Sequence, residues 1–205
     1  MLQTQTLDNG LRIIFEEKSS EVVQCGLVVC AGTRHEEEND SGMAHFLEHM
    51  SFKGTERRNS AMVSAFLEKC GGDLNAYTTK QETVFCATIL KEDFTKAVDL
   101  LCDIVFHSTY PQSEIDKEVE VICDEIESYQ DSPADLIFDE FESLIFENKD
   151  LGRDILGQAE RLKTYKTEDA RRFADKHYKP SNCVFFASGQ LDFKQLCHAV
   201  QRHAR

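Results

Sequence analysis

Gly42-Met43-Ala44-His45-Phe46-Leu47-Glu48-His49-Met50 is the most informative stretch of this 205-residue chain. Phe46, Leu47 and Met50 give it an apolar side, and Asp40 or Ser41 ahead of it can cap a first turn, so a helix is predicted from there to about Phe52. His45, Glu48 and His49 then fall within an arc of ~100° on that helix. The buried apolar side makes two freely solvated histidines a poor reading. Their face is expected to border an interior cleft.

On the N-terminal side, Leu7, Asp8-Asn9-Gly10 and Leu11–Phe15 read as a hairpin, since Asn-Gly is the strongest short turn signal. Residues 22–30 read as a more buried strand, and Glu36 to Asp40 as an acidic, polar loop. On the C-terminal side, a helix over Ser60–Cys70 stops at Gly71-Gly72, where the chain must turn left-handed. Strands at 74–79 and 82–90 pair through Lys80-Gln81. Helices follow at 92–107, 114–129 and 134–147, then one from Thr167 to His177, ended by Pro180. Val184–Ala187 reads as a buried strand, and a final helix runs into the basic tail Val200–Arg205. Strands early, helices later and a hairpin between them make an α+β pattern, read as one domain over residues 1–205.

Two imidazoles at i and i+4 can grip one metal ion, and neutral ring nitrogens suit zinc. Glu48, on the same face, is placed to take a proton from water at the metal; H-x-x-E-H is the inverted zinc-peptidase arrangement. A catalytic zinc takes three protein ligands and keeps a fourth position open. The helix at 114–129 offers the third. Its stripe is Ile115, Val119, Ile122 and Ile126, and Glu118 and Glu125 lie nearly in line beside it. Carboxylates bordering a buried stripe need partners, and the spacing alone does not choose between them.

Composition narrows the rest. With 23 Lys and Arg against 37 Asp and Glu, the net charge is −14, a surface that repels phosphate backbones, so nucleic acid is not an expected partner. No stretch approaches the roughly 20 apolar residues of a membrane span, and the opening MLQTQTLDNG has no signal-peptide pattern. The eight cysteines include no C-x-x-C pair and read as buried thiols in a reducing compartment, giving a cytoplasmic expectation. His35, His107, His177, His198 and His203 show no ligand spacing and are expected at surface or capping positions.

Further segments accompany the histidine helix: Leu7-Asp8-Asn9-Gly10-Leu11-Arg12, Phe52-Lys53-Gly54-Thr55, Gly71-Gly72-Asp73-Leu74-Asn75-Ala76-Tyr77-Thr78, Val121-Ile122-Cys123-Asp124-Glu125-Ile126, Asp131-Ser132-Pro133, Leu156-Gly157 and Tyr178-Lys179-Pro180-Ser181-Asn182. With these the chain resembles the inverted-motif zinc peptidases, the family of pitrilysin, insulin-degrading enzyme and mitochondrial processing peptidase. The resemblance covers nearly the whole chain. It implies a mostly antiparallel sheet flanked by helices, the metallohydrolase half-domain of that family, and a zinc endopeptidase acting on peptides or small unfolded polypeptides. It implies zinc held by His45, His49 and Glu125, with Glu48 as general base and Glu118 as an acid behind the ligands. Asn75-Ala76-Tyr77 resembles the strand that pairs with an extended substrate. Members close two or more such halves around the substrate, so a second half is expected, past Arg205 or on a partner chain. The competing reading is a non-catalytic scaffold or partner subunit of a related peptidase complex.

Overall fold

A computed structural model describes residues 2–147 and 149–204; Arg205, the end of the expected basic tail, lies outside them. Six strands form one sheet: β1 (Leu2–Thr6), β2 (Arg12–Glu17), β3 (Val22–Val29), β4 (Asp73–Thr78), β5 (Thr83–Leu90) and β6 (Cys183–Gly189). Their order is β1-β2-β6-β3-β5-β4, and every pairing is antiparallel except β2 with β6. Gly10 makes the first hairpin turn at φ +87°, a conformation glycine adopts without steric cost. The helices are α1 (Met43–Ser51), α2 (Ser60–Glu68), α3 (Phe94–Phe106), α4 (Gln112–Gln130), α5 (Pro133–Ile145), α6 (Ala159–Leu162), α7 (Thr167–His177) and α8 (Phe193–His203). The architecture is α+β with a mostly antiparallel sheet. None of these helices is long and apolar enough to cross a membrane.

Period-two alternation sends one side of each central strand into the core: Ile13 and Phe15, Cys25 and Leu27, Phe85 and Ala87, Phe185 and Ala187 are all buried. Helices cover that side, with Phe94 of α3 edge-on to Phe185 and Phe193 of α8 stacked on Phe15. The parallel β2–β6 pair joins segments far apart in sequence, which no local pattern announces. Neither the short α6 nor the irregular path around it was expected.

The start of α1 differs from expectation. Its cap is Gly42, left-handed at φ 81°, and neither Asp40 nor Ser41 caps it with a side chain. Glu36 does that work instead: its two carboxylate oxygens accept the Gly42 and Ala44 N–H groups at 3.0 and 2.9 Å. Glu36 is therefore buried, as is Asp40, while Glu37, Glu38 and Asn39 between them are exposed, so the 36–40 segment is a polar loop whose two ends turn inward. Burial pushes the Glu36 carboxyl up to about 8 against the pull of those two donors. The same segment is tied down by Tyr165, whose hydroxyl donates to the Ser41 carbonyl at 2.9 Å, and by Arg153, which donates to the Glu36 carbonyl.

Gly42 also packs against Gly157. A Cβ at Gly157, which sits at φ +75°, would lie 2.5 Å from the Gly42 Cα. Because both contacting atoms are backbone, Gly157→Ala is expected to cost more than ~2 kcal/mol, seen as a lower urea midpoint with an unchanged m-value.

Of the other histidines, His35 takes the expected capping role, its Nδ1 accepting the Gly32 N–H at 3.1 Å. His177 does not sit at the surface. It is buried against Phe173, and burial pulls its pKa down to about 4. The cysteines are free; Cys25, Cys102, Cys183 and Cys197 are buried, and the other four are half-buried.

Candidate metal centre

Helix α1 contributes His45, Glu48 and His49 on one side, and α4 packs beside it with Glu118 and Glu125. The two ring Nε2 atoms of His45 and His49 are 3.2 Å apart. Glu125 Oε2 lies 3.8 Å from the first and 3.6 Å from the second. One donor atom from each of these three residues falls within 4.8 Å of the others. Tetrahedral zinc with bonds of 2.0–2.2 Å separates neighbouring donors by roughly 3.3–3.5 Å, so the three atoms already stand near the edges of such a polyhedron. The donor set, two imidazole nitrogens and a carboxylate oxygen, is that of a catalytic zinc. Glu125 is 44% exposed, and that leaves the centre open on its side.

The protonation state of His45 favours this role. Burial, reinforced by the neighbouring His49, pulls His45 down to about 3, so its ring is neutral at physiological pH. For His49, burial also lowers the pKa, but the hydrogen bond to Glu118 and the surrounding carboxylates outweigh it and the net shift is upward. The geometry gives that bond a second consequence. Glu118 Oε1 is 2.8 Å from His49 Nδ1, so the ring donates there and leaves its Nε2 lone pair toward Glu125 and His45. His45 has no equivalent; its Nδ1 is buried without a partner among the described residues.

Glu118 is buried, and burial alone would raise its pKa. His49 and Lys53 overcome that and hold it below the usual carboxylate range. Lys53 Nζ is 2.6 Å from Glu118 Oε2. Lys53, two residues past the end of α1, thus completes a chain, Lys53 to Glu118 to His49; the sequence marks it only as part of the Phe52-Lys53-Gly54-Thr55 segment. Lys53→Met is expected to leave the fold intact and to weaken zinc binding about 10- to 100-fold, the usual cost of losing an outer partner, measured by competition with a chromophoric chelator; Lys53→Arg should lose less.

Glu48 Oε2 accepts a hydrogen bond from Thr78 Oγ1 at 2.5 Å. Burial pushes the Glu48 carboxyl up, and Thr78 only partly offsets it. Thr78, like Lys53, is a residue whose part in the site the sequence did not announce. A cavity of about 340 Å³ opens here, lined by Glu48, His49, Phe52, Lys53, Glu118 and, from β4, Leu74, Asn75 and Ala76. Asn75 and Ala76 therefore reach the site, while Tyr77 lies outside the cavity lining and is half exposed. Strand β4 is at the sheet edge, paired on one side only.

Comparisons with known proteins give the family. Residues 12–159 match the model of the insulinase family, peptidase family M16. An uncharacterized zinc protease of Rickettsia felis is 35% identical over 197 residues, which cover 96% of this chain and 48% of that protein. The mitochondrial-processing peptidase subunit beta of Rattus norvegicus is 35% identical over 201 residues, 98% of this chain and 41% of that one. Among solved structures, a protease from Helicobacter pylori superposes with a TM-score of 0.94 at 21% identity, over 99% of this chain and 49% of that one, a likeness that speaks to the fold. The chain spans under half the length of these curated relatives. With the family model covering most of its length and relatives of this identity along nearly all of it, the chain belongs to the insulinase family of peptidases, M16.

Proposed function

We propose that this chain is the metal-bearing half of a zinc endopeptidase. The observation that carries the reading is the convergence of His45, His49 and Glu125 donor atoms from two helices, with Glu48 and His49 lining a cavity bordered by the sheet-edge strand β4. When bound, zinc supplies Lewis acidity, polarising a scissile carbonyl and making water a nucleophile near neutral pH.

The chain's own groups do the rest. Glu48 takes the proton from the attacking water on its free carboxylate oxygen while Thr78 holds the other, and then returns it to the leaving amine. Its raised pKa moves it toward the range in which a base working near neutral pH is most effective. Glu118 and Lys53 hold His49 in one tautomer. Substrate in extended form adds to β4 as a further strand, so backbone rather than side-chain chemistry selects it, which favours unfolded peptides. The Ala76 N–H is at present donated to Asn75 Oδ1 at 2.8 Å, and an incoming strand takes its place.

A second half of similar kind closes the cleft. Zinc-loaded protein, with its second half present, should cleave an unstructured peptide, lose that activity to a chelator and regain it with zinc. Stoichiometric zinc with no cleavage of any unstructured peptide would instead support a scaffold or partner subunit.

A further inference from the structure

Lysine ordinarily keeps its ammonium in water and lays only its stem along the surface. Lys80, in the β4–β5 turn, does not: its side chain is 13% exposed. Its Nζ donates to the Arg153 carbonyl at 2.6 Å and lies 3.4 Å from Asp139 Oδ1 and 3.5 Å from Glu142 Oε2. An ammonium has three donors and no acceptor, so each donor has a partner in reach and the group is a fixed point. Both acids come from α5, which turns this polar side inward and leaves Phe138, Phe141 and Leu144 exposed.

The turn that Lys80 anchors ends β4, the strand bordering the metal cavity. Backbone amides dock this turn on the segment ahead of α1. The Thr33 N–H donates to the Thr79 carbonyl at 3.3 Å, and the Arg34 N–H to the Lys80 carbonyl at 2.9 Å. Gly32 permits the approach, because a Cβ there would collide with the Thr79 carbonyl oxygen. The same segment continues into Glu36, whose carboxylate holds the first amides of α1. Arg153 spans the two: its carbonyl accepts from Lys80, and its guanidinium donates to the Glu36 carbonyl and pairs with Asp150 at 2.9 Å. Thr78, donating to Glu48, closes a ring of contacts that runs from β4 through Lys80, Arg153 and Glu36 and back along α1.

We propose that Lys80 is a positioning residue of the peptidase reaction: through Arg153 and Glu36 it fixes β4, the strand that receives substrate, against the helix carrying His45, Glu48 and His49. This rests on the peptidase reading. Lys80 does not line the metal cavity; it acts through the strand. A peptide laid on β4 must meet donors and base that stand on α1, and a misplacement of about 1 Å between them can cost on the order of 10²-fold in rate. Pairing of β4 with β5 does not depend on the Lys80 side chain, so docking of the peptide suffers less than its alignment in the transition state.

With the second half present, Lys80→Met should lower kcat about tenfold and keep KM on an unstructured peptide within about twofold. Zinc should stay stoichiometric and circular dichroism unchanged. Lys80→Arg, which keeps the charge, should recover most of the loss. Arg153→Lys, with a shorter reach to Glu36, should show the same split at smaller size, and it carries the test if Lys80→Met does not fold. Hydrogen exchange reads the lock without catalysis: the Thr33, Arg34, Gly42 and Ala44 amides should exchange about tenfold faster in Lys80→Met, while those of the central strand β3 keep their rates. An unchanged kcat overturns the proposal, as does unaltered exchange at these amides or activity lost together with zinc. Zinc-loaded unsubstituted protein that cleaves no peptide sinks the peptidase reading instead, and faster exchange then still shows that Lys80 holds β4 to α1.

Discussion

Glu48→Gln is expected to lower peptide hydrolysis by about 10²- to 10⁴-fold, the range a positioned general base contributes, with zinc still bound. The argument is geometric. The amide keeps the size of the side chain, and its oxygen can still accept the Thr78 hydroxyl that Glu48 Oε2 accepts now. What it removes is the lone pair that takes the proton from water. The three donors that converge within 4.8 Å come from His45, His49 and Glu125, so the substitution leaves that set complete. Steady-state kinetics on an unstructured peptide, alongside elemental analysis of the same sample, separates the two effects. Turnover within tenfold of the unsubstituted protein would move the base to another residue, and zinc loss would place Glu48 among the ligands.

Glu125→Gln should fail in the opposite way, by losing the metal. A neutral amide oxygen replaces the one anionic donor, 3.6 and 3.8 Å from the two ring nitrogens. Loss of a supporting partner behind a ligand costs 10- to 100-fold in affinity, so replacement of the donor itself is expected to exceed ~100-fold. Zinc content after dialysis should fall to background while the unfolding midpoint of the metal-free protein barely moves, because the Glu125 side chain is half exposed. Unchanged zinc would remove Glu125 from the ligand set. Glu118 would not be its natural replacement, since its oxygens are already committed to His49 Nδ1 and Lys53.

The α+β class, the hairpin turn at Gly10, the left-handed stop at Gly71 and the β4–β5 pair are readable along the chain because each depends on neighbouring residues. So is the shared face of His45, Glu48 and His49, which helical periodicity alone provides. The Glu36 cap is not: a carboxylate six residues before Gly42 looks like loop composition until the backbone folds back to bury it. The inverted polarity of α5 is equally invisible, for the pattern shows an amphipathic helix without saying which side meets the protein.

By itself, then, the sequence determined the strand and helix periods and the local juxtaposition of two imidazoles and a carboxylate on one turn of helix, since i to i+4 geometry is set by the backbone. Only the tertiary structure decided what each α4 carboxylate meets. Glu118 and Glu125 lie in line on one helix and are equivalent by periodicity, yet packing of α4 against α1 aims one at a ring Nδ1 and the other at both Nε2 atoms. The physical reason is distance: those pairs are 69 or more residues apart, and their meeting is fixed by how two helices settle on a shared core.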